Sequence, residues 1–143
     1  MSFYDCASGN SLCYGIDYYK SKKVTSFKQV DRYNYQGFVC GNKDNVYDVS
    51  INLKKPKTSR CNCAFASGRH VICKHMIALY FTVFPDAYDE YQSEVEEYKT
   101  EEKRKREEHK EDIRKYVYSL SKQELKDRLL EFLIQEDDER YYW

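Results

Sequence analysis

The chain has 143 residues, with 24 Lys/Arg matched by 24 Asp/Glu, 15 tyrosines and 6 cysteines. That length suits one ordinary domain, or a small domain with an extension. Much of the apolar share is tyrosine, whose hydroxyl end seeks water or a partner. The aliphatic core is therefore modest, and a metal or disulfide staple is expected.

The longest apolar patch, Met76–Phe81, falls far short of the roughly 18 residues that a membrane helix needs. The N-terminal MSFYDCASGN has no basic stretch leading into an apolar run. These features point to a soluble intracellular protein, cytoplasmic or nuclear, with no membrane partner and no small-molecule substrate. In a reducing compartment, clustered cysteines bind metal more often than one another. The charge is split along the chain. Residues 1–80 carry 12 Lys/Arg against 5 Asp/Glu, and residues 81–143 carry 12 against 19. The first part could face an anion.

In chain order, Val24–Val30 gives a weak strand signal and Tyr33–Cys40 a second, aromatic one. Gly41–Asn45 is turn chemistry, rich in residues that tolerate left-handed backbone. In the next segment Tyr47, Val49, Ile51 and Leu53 alternate with Asp48, Ser50 and Asn52, a period of two that marks a strand. Lys54–Lys57 turns again at Pro56. Residues 24–60 thus read as an antiparallel meander. Met76, Ile77, Leu79, Tyr80 and Val83 form a helical apolar face that stops at Pro85. The stretch from Asp86 to Tyr118 is charged and free of proline and glycine, so a long solvated helix is expected.

Ser121 and Glu124 form a capping box, and Leu120 and Leu125 stand where a hydrophobic staple would. Leu125, Leu129, Phe132 and Leu133 continue at helical spacing. This last helix is expected to pack on the rest of the chain, the alternative being a docking helix. The fold class is α+β: a small antiparallel meander with a metal-bound unit over residues 1–85, then a mostly helical, charged extension over residues 86–143.

The chemistry is concentrated in CNCAFASGRHVICKH, Cys61–His75. Cys61-x-Cys63, nine residues, then Cys73-x-His75 offers four soft or borderline ligands and no carboxylate, which fits one tetrahedral zinc ion. A regular strand would hold Cys61 and Cys63 too far apart, so a knuckle or tight turn is needed. Two positions on a helix differ by about 200°, so Cys73 should lie just before the helix and His75 in its first turn. There the helix N-terminus favours the Cys73 thiolate.

A catalytic Cys–His pair would need one open, activated cysteine, whereas this set is closed. A CxC redox pair lacks the CxxC spacing and the βαβ setting. No enzyme activity is expected. His70 competes with His75 as fourth ligand but lies mid-loop beside Gly68 and Arg69 and reads as surface. Cys6, Cys13 and Cys40 read as small buried or semi-buried thiols, and His109 as solvated.

CxC-x₉-CxH with a following apolar helix resembles the SWIM-type zinc finger. The likeness extends through Cys73-Lys74-His75-Met76-Ile77-Ala78-Leu79. It continues upstream in Gly37-Phe38-Val39-Cys40-Gly41 and Val46-Tyr47-Asp48-Val49-Ser50-Ile51, which are similar to strands of the bacterial form, and in the tyrosine-rich Tyr18–Val24. It covers about residues 15–85. Ala64 departs from the proline that many members carry after the second cysteine. The resemblance implies a ββα-like unit sharing one structural zinc, in a family whose assigned roles are DNA binding or protein–protein contact, without enzyme activity.

Lys54, Lys55, Lys57, Arg60, Arg69 and Lys74 surround the site in sequence, with tyrosines 18, 19, 33, 35 and 47 interleaved and able to stack on exposed bases. The expected role is nucleic-acid binding, to DNA, led by phosphate contacts and without strong sequence specificity. The alternative is a protein–protein adaptor of a DNA-processing or transcription-related complex, supported by the acidic helical second half.

Overall fold

The computed structural model describes residues 2–142 and contains four helices and one four-stranded sheet. Helix α1 spans Gly9–Lys20, followed by strands β1 Val24–Gln29, β2 Asn34–Cys40, β3 Val46–Asn52 and β4 Arg60–Cys61. Helices α2 Lys74–Val83, α3 Pro85–Ser119 and α4 Lys122–Tyr141 complete the chain. The strands pair antiparallel in the order β1-β2-β3-β4, so the α+β meander expected from the sequence is present.

Local chemistry sets each turn. Between β1 and β2 the Asp31 carboxylate accepts hydrogen bonds from the backbone N–H groups of Tyr33 (2.8 Å) and Asn34 (3.0 Å) and from the Asn34 side chain. Between β2 and β3, Lys43 and Asp44 take left-handed φ values of 63° and 60°. Pro56 opens a 3-10 turn ahead of β4.

Two compact units follow, one running up to Gln92 and one from Ser93 onward. The core of the first unit lies between the sheet's inner face and α2. Val39, Val49 and Ile51 are fully buried, as are Met76, Ile77, Leu79 and Phe81. Gly37 lets the sheet approach this helix, since a Cβ there would stand 2.8 Å from Leu79 Cδ1 and 2.7 Å from the Ser26 carbonyl.

Helix α1 has no counterpart among the elements read from the sequence. It begins at Ser8, whose hydroxyl accepts from the Ser11 N–H, and packs on α2. Leu12, Ile16 and Tyr19, at helical spacing, are its sequence signature, masked by Gly9 and Gly15. Gly15 is required by that packing, because any Cβ would collide with Ile77.

The tyrosines form much of this core. Tyr4, Tyr19, Tyr80, Tyr88 and Tyr91 surround Phe81, with Tyr19–Tyr88 centroids 4.9 Å apart and Tyr4–Phe81 5.7 Å apart. This corrects the expectation that the interleaved tyrosines offer faces to bases. Tyr18 and Tyr47 pack on His75, Tyr19 on Phe81 and Tyr35 on Phe84. Of that set only Tyr33 is exposed, beneath Arg32 and Lys54. A chain short of aliphatics uses its aromatic rings inward.

In the second unit α3 is solvated, as expected, with intrahelical ion pairs such as Arg104 with Glu101 and Glu108. Helix α4 begins with the expected capping box: Glu124 N–H donates to the Ser121 hydroxyl, and Ser121 N–H donates to the Glu124 carboxylate at 2.7 Å. Within the second unit, α4 departs from the expectation that it packs on the chain, because α3 does not cover it. Leu129, Leu130, Phe132, Leu133 and Ile134 are all exposed, and no residue of α4 is buried. The physical reason lies in α3, whose stretch from Lys99 to Asp112 is charged and offers no apolar strip to cover them.

Candidate metal centre

Cys61 closes β4, where it opposes Val49 of β3. The chain then turns so that Cys63 faces back, with Ser67 N–H donating to the Cys63 carbonyl at 2.9 Å. Cys73 is the N-cap residue of α2 and His75 its second residue. The strand end, knuckle and helix start thus converge as the spacing requires. All four side chains are at least 95% buried.

Their ligand atoms lie within 4.8 Å of one another. His75 Nδ1 stands 3.7 Å from Cys61 Sγ and 3.9 Å from Cys73 Sγ. A tetrahedral zinc with ordinary bond lengths separates sulfur from nitrogen by about 3.6 Å, so the donor set fits one ion. Three cysteines and one histidine leave no position for water or substrate, so the ion would hold structure. His75 Nε2 is buried without a hydrogen-bond partner. The ring is held instead by Tyr47, stacked at 4.3 Å, and Tyr18, edge-on at 5.3 Å.

Burial and mutual contact shift the three thiols in opposite directions. Cys73 is pushed down to about 4, first by the hydrogen bond from the Cys61 thiol and then by His75 and the Met76 N–H at the helix start. Cys61 is raised, first because that same bond holds its proton and then by burial. Cys63 is raised chiefly by burial.

Family comparison converges on these residues: the SWIM zinc finger model matches residues 47–84. This segment is a SWIM zinc finger. Comparison with curated proteins and with solved structures returned no match. The finger thus consists of β3, β4, the knuckle and α2, while β1, β2 and α1 lie outside the matched segment and complete its core. Ala64 does not disturb the ligand set.

The other candidates fall in separate places. His70 is exposed, with Nδ1 3.3 Å from the Lys57 carbonyl, and stands outside the ligand cluster. Cys6 and Cys40 are half-buried, but Cys13 is exposed, correcting its reading as a buried or semi-buried thiol.

The six cations near the finger do not form one patch. Lys54 and Lys55 line a hollow with Asp31, Arg32 and Tyr33. Lys57 Nζ donates to the Cys6 carbonyl at 3.1 Å. The Lys74 ammonium sits over Tyr18 and Tyr14, 4.8 and 5.9 Å from the ring centroids. Arg60 and Arg69 share a second cleft, about 710 Å³ in volume, between the sheet's outer face and the knuckle. Gln36, Asp48, Ser50, Asn62 and His70 also line it. The sequence signal for Gln36 was the period of two in β2, which turns it outward opposite Ser50 when Gly37 and Val39 point in.

Proposed function

We propose that the zinc-stapled first unit binds nucleic acid, DNA in particular, through the cleft beside the knuckle. It has no catalytic role. The observation that carries this reading is the convergence of Arg60 and Arg69 on one open cleft. Arg60 projects from β4, and Arg69 lies over the exposed Phe65 ring, 5.1 Å from its centroid, and donates to the Phe65 carbonyl. Two guanidinium groups on one cleft, Arg60 from the end of the sheet and Arg69 from the loop that follows it, suit phosphate oxygens. Asn62, Ser67 and Gln36 add polar contacts without any array that would read base edges. Asp48 on the same wall opposes an anion, so binding should be moderate and strongly salt-dependent.

A band-shift titration of the full, zinc-loaded chain with single- and double-stranded DNA, at low and moderate salt, tests this. Binding that weakens with salt, and a flatter salt slope in the Arg60→Ala, Arg69→Ala variant, is the expected result. Absence of binding at low ionic strength removes the reading.

A second reading, the protein adaptor, rests on a different observation: the row of exposed leucines on α4. Contiguous apolar surface on a soluble chain marks a protein contact. It becomes the main reading if the band shift is negative.

A further inference from the structure

We propose that α4 is a self-complementary dimerisation helix that pairs antiparallel with α4 of a second copy of this chain. The inference is independent of nucleic-acid binding. Its apolar stretch runs from Leu125 to Ile134 and includes Leu129, Leu130, Phe132 and Leu133, all exposed. No other element of the second unit covers it.

The charge pattern selects the partner. At the N-terminal end Lys122 and Lys126 make no ion pair among the described residues, and at the C-terminal end neither do Asp137 and Asp138. The other charges of α4 are largely served within the helix, as in Arg128–Glu131 and Arg140–Glu136. The unmatched charges are therefore cations at one end and anions at the other.

Position makes this pattern self-complementary. The midpoint of Leu125–Ile134 falls between Leu129 and Leu130, and Lys122 and Asp137 lie equally far on either side, about 11 Å along the axis. An antiparallel second copy centred there brings Leu129 and Leu130 together with their symmetry mates and sets Lys122 level with Asp137, each contact occurring twice by symmetry, while Leu125 and Ile134, about 180° apart around the helix, flank the contact on opposite sides. A parallel copy would instead oppose like charges.

Size indicates what else joins the contact. A 20-residue helix presents a footprint of about 30 by 10 Å, short of the roughly 800 Å² per partner of a standard interface. Ile113, Tyr116 and Val117, exposed on the last turns of α3 next to the α3–α4 turn, extend the apolar surface.

Sedimentation equilibrium of the full zinc-loaded chain over a wide concentration range tests the proposal, with circular dichroism to confirm helicity. A concentration-dependent monomer–dimer equilibrium is expected, abolished by Leu129→Glu together with Leu130→Glu. Lys122→Asp and Asp137→Lys should each weaken the dimer about tenfold, because both symmetry-related pairs become repulsive. Both changes suit the helix dipole, so α4 itself persists. Combining them should restore the dimer. A chain monomeric at every concentration overturns the proposal, as does a combined variant no better than the singles. In the first case a different protein, not a second copy, is the occupant of α4.

Discussion

The Tyr47 ring lies on the imidazole of His75, with centroids 4.3 Å apart and planes 30° from parallel. Tyr47 lies on β3 and opposes Val39 in the sheet register, so the sheet fixes the orientation of a ligand carried by the helix. His75 Nε2 has no hydrogen-bond partner to do this, and ring packing takes the place of the usual acceptor.

Tyr47→Ala should therefore weaken zinc retention by about tenfold, the direction expected when support for a ligand is lost. Tyr47→Phe should be close to neutral, because the ring carries the effect. Competition with a chromogenic chelator reads both. Equal retention by the Ala variant would refute this role.

Removing the metal should unfold the first unit and spare the second. Zinc in finger peptides contributes about 10–16 kcal/mol, as much as the net stability of a whole domain, about 5–15 kcal/mol. Strong chelation at neutral pH should abolish near-ultraviolet dichroism from the tyrosine cluster. Helical far-ultraviolet signal from α3 and α4 should remain, since neither touches the site. Cys63→Ser should mimic chelation. An unchanged near-ultraviolet spectrum after complete zinc removal would show that the core stands without the ion.

Zinc uptake should release protons. With the first unit unfolded by metal loss, Cys61, Cys63 and Cys73 are ordinary thiols, protonated at neutral pH. Zinc needs all three as thiolates, so its addition at neutral pH should release about three protons, and affinity should fall with acidification. Potentiometric titration during zinc addition measures the release. Zinc uptake without proton release would contradict thiolate ligation at Cys61, Cys63 and Cys73.

Gly15→Ala and Gly37→Ala should each destabilise the first unit by about 1–3 kcal/mol, the range for forcing atoms into a packed interface. At Gly15 the added methyl meets Ile77 and the Lys74 carbonyl, and at Gly37 it meets the Ser26 carbonyl and Leu79. Thermal melts of the zinc-loaded protein should show lowered midpoints. Gly9→Ala, with open space around it, is the control and should not lower the midpoint.

The sequence by itself determined the zinc ligands, because coordination geometry forces Cys61, Cys63, Cys73 and His75 into one spacing and excludes a mid-helix Cys73. It determined β3 through strict alternation and the start of α4 through a local capping box. These are short-range signals, complete within a few residues. The tertiary structure decided what depends on distant partners. It placed α1 on α2, where Leu12, Ile16 and Tyr19 at helical spacing are a faint sequence sign and Gly15 shows its purpose only against Ile77. It turned the tyrosines inward, because only packing shows whether a ring's face is occupied. It distributed six cations that looked adjacent, with Arg60 and Arg69 on one cleft and Lys54 and Lys55 on another hollow. It also left α4 uncovered, because helical periodicity records that a face must be buried but not what buries it.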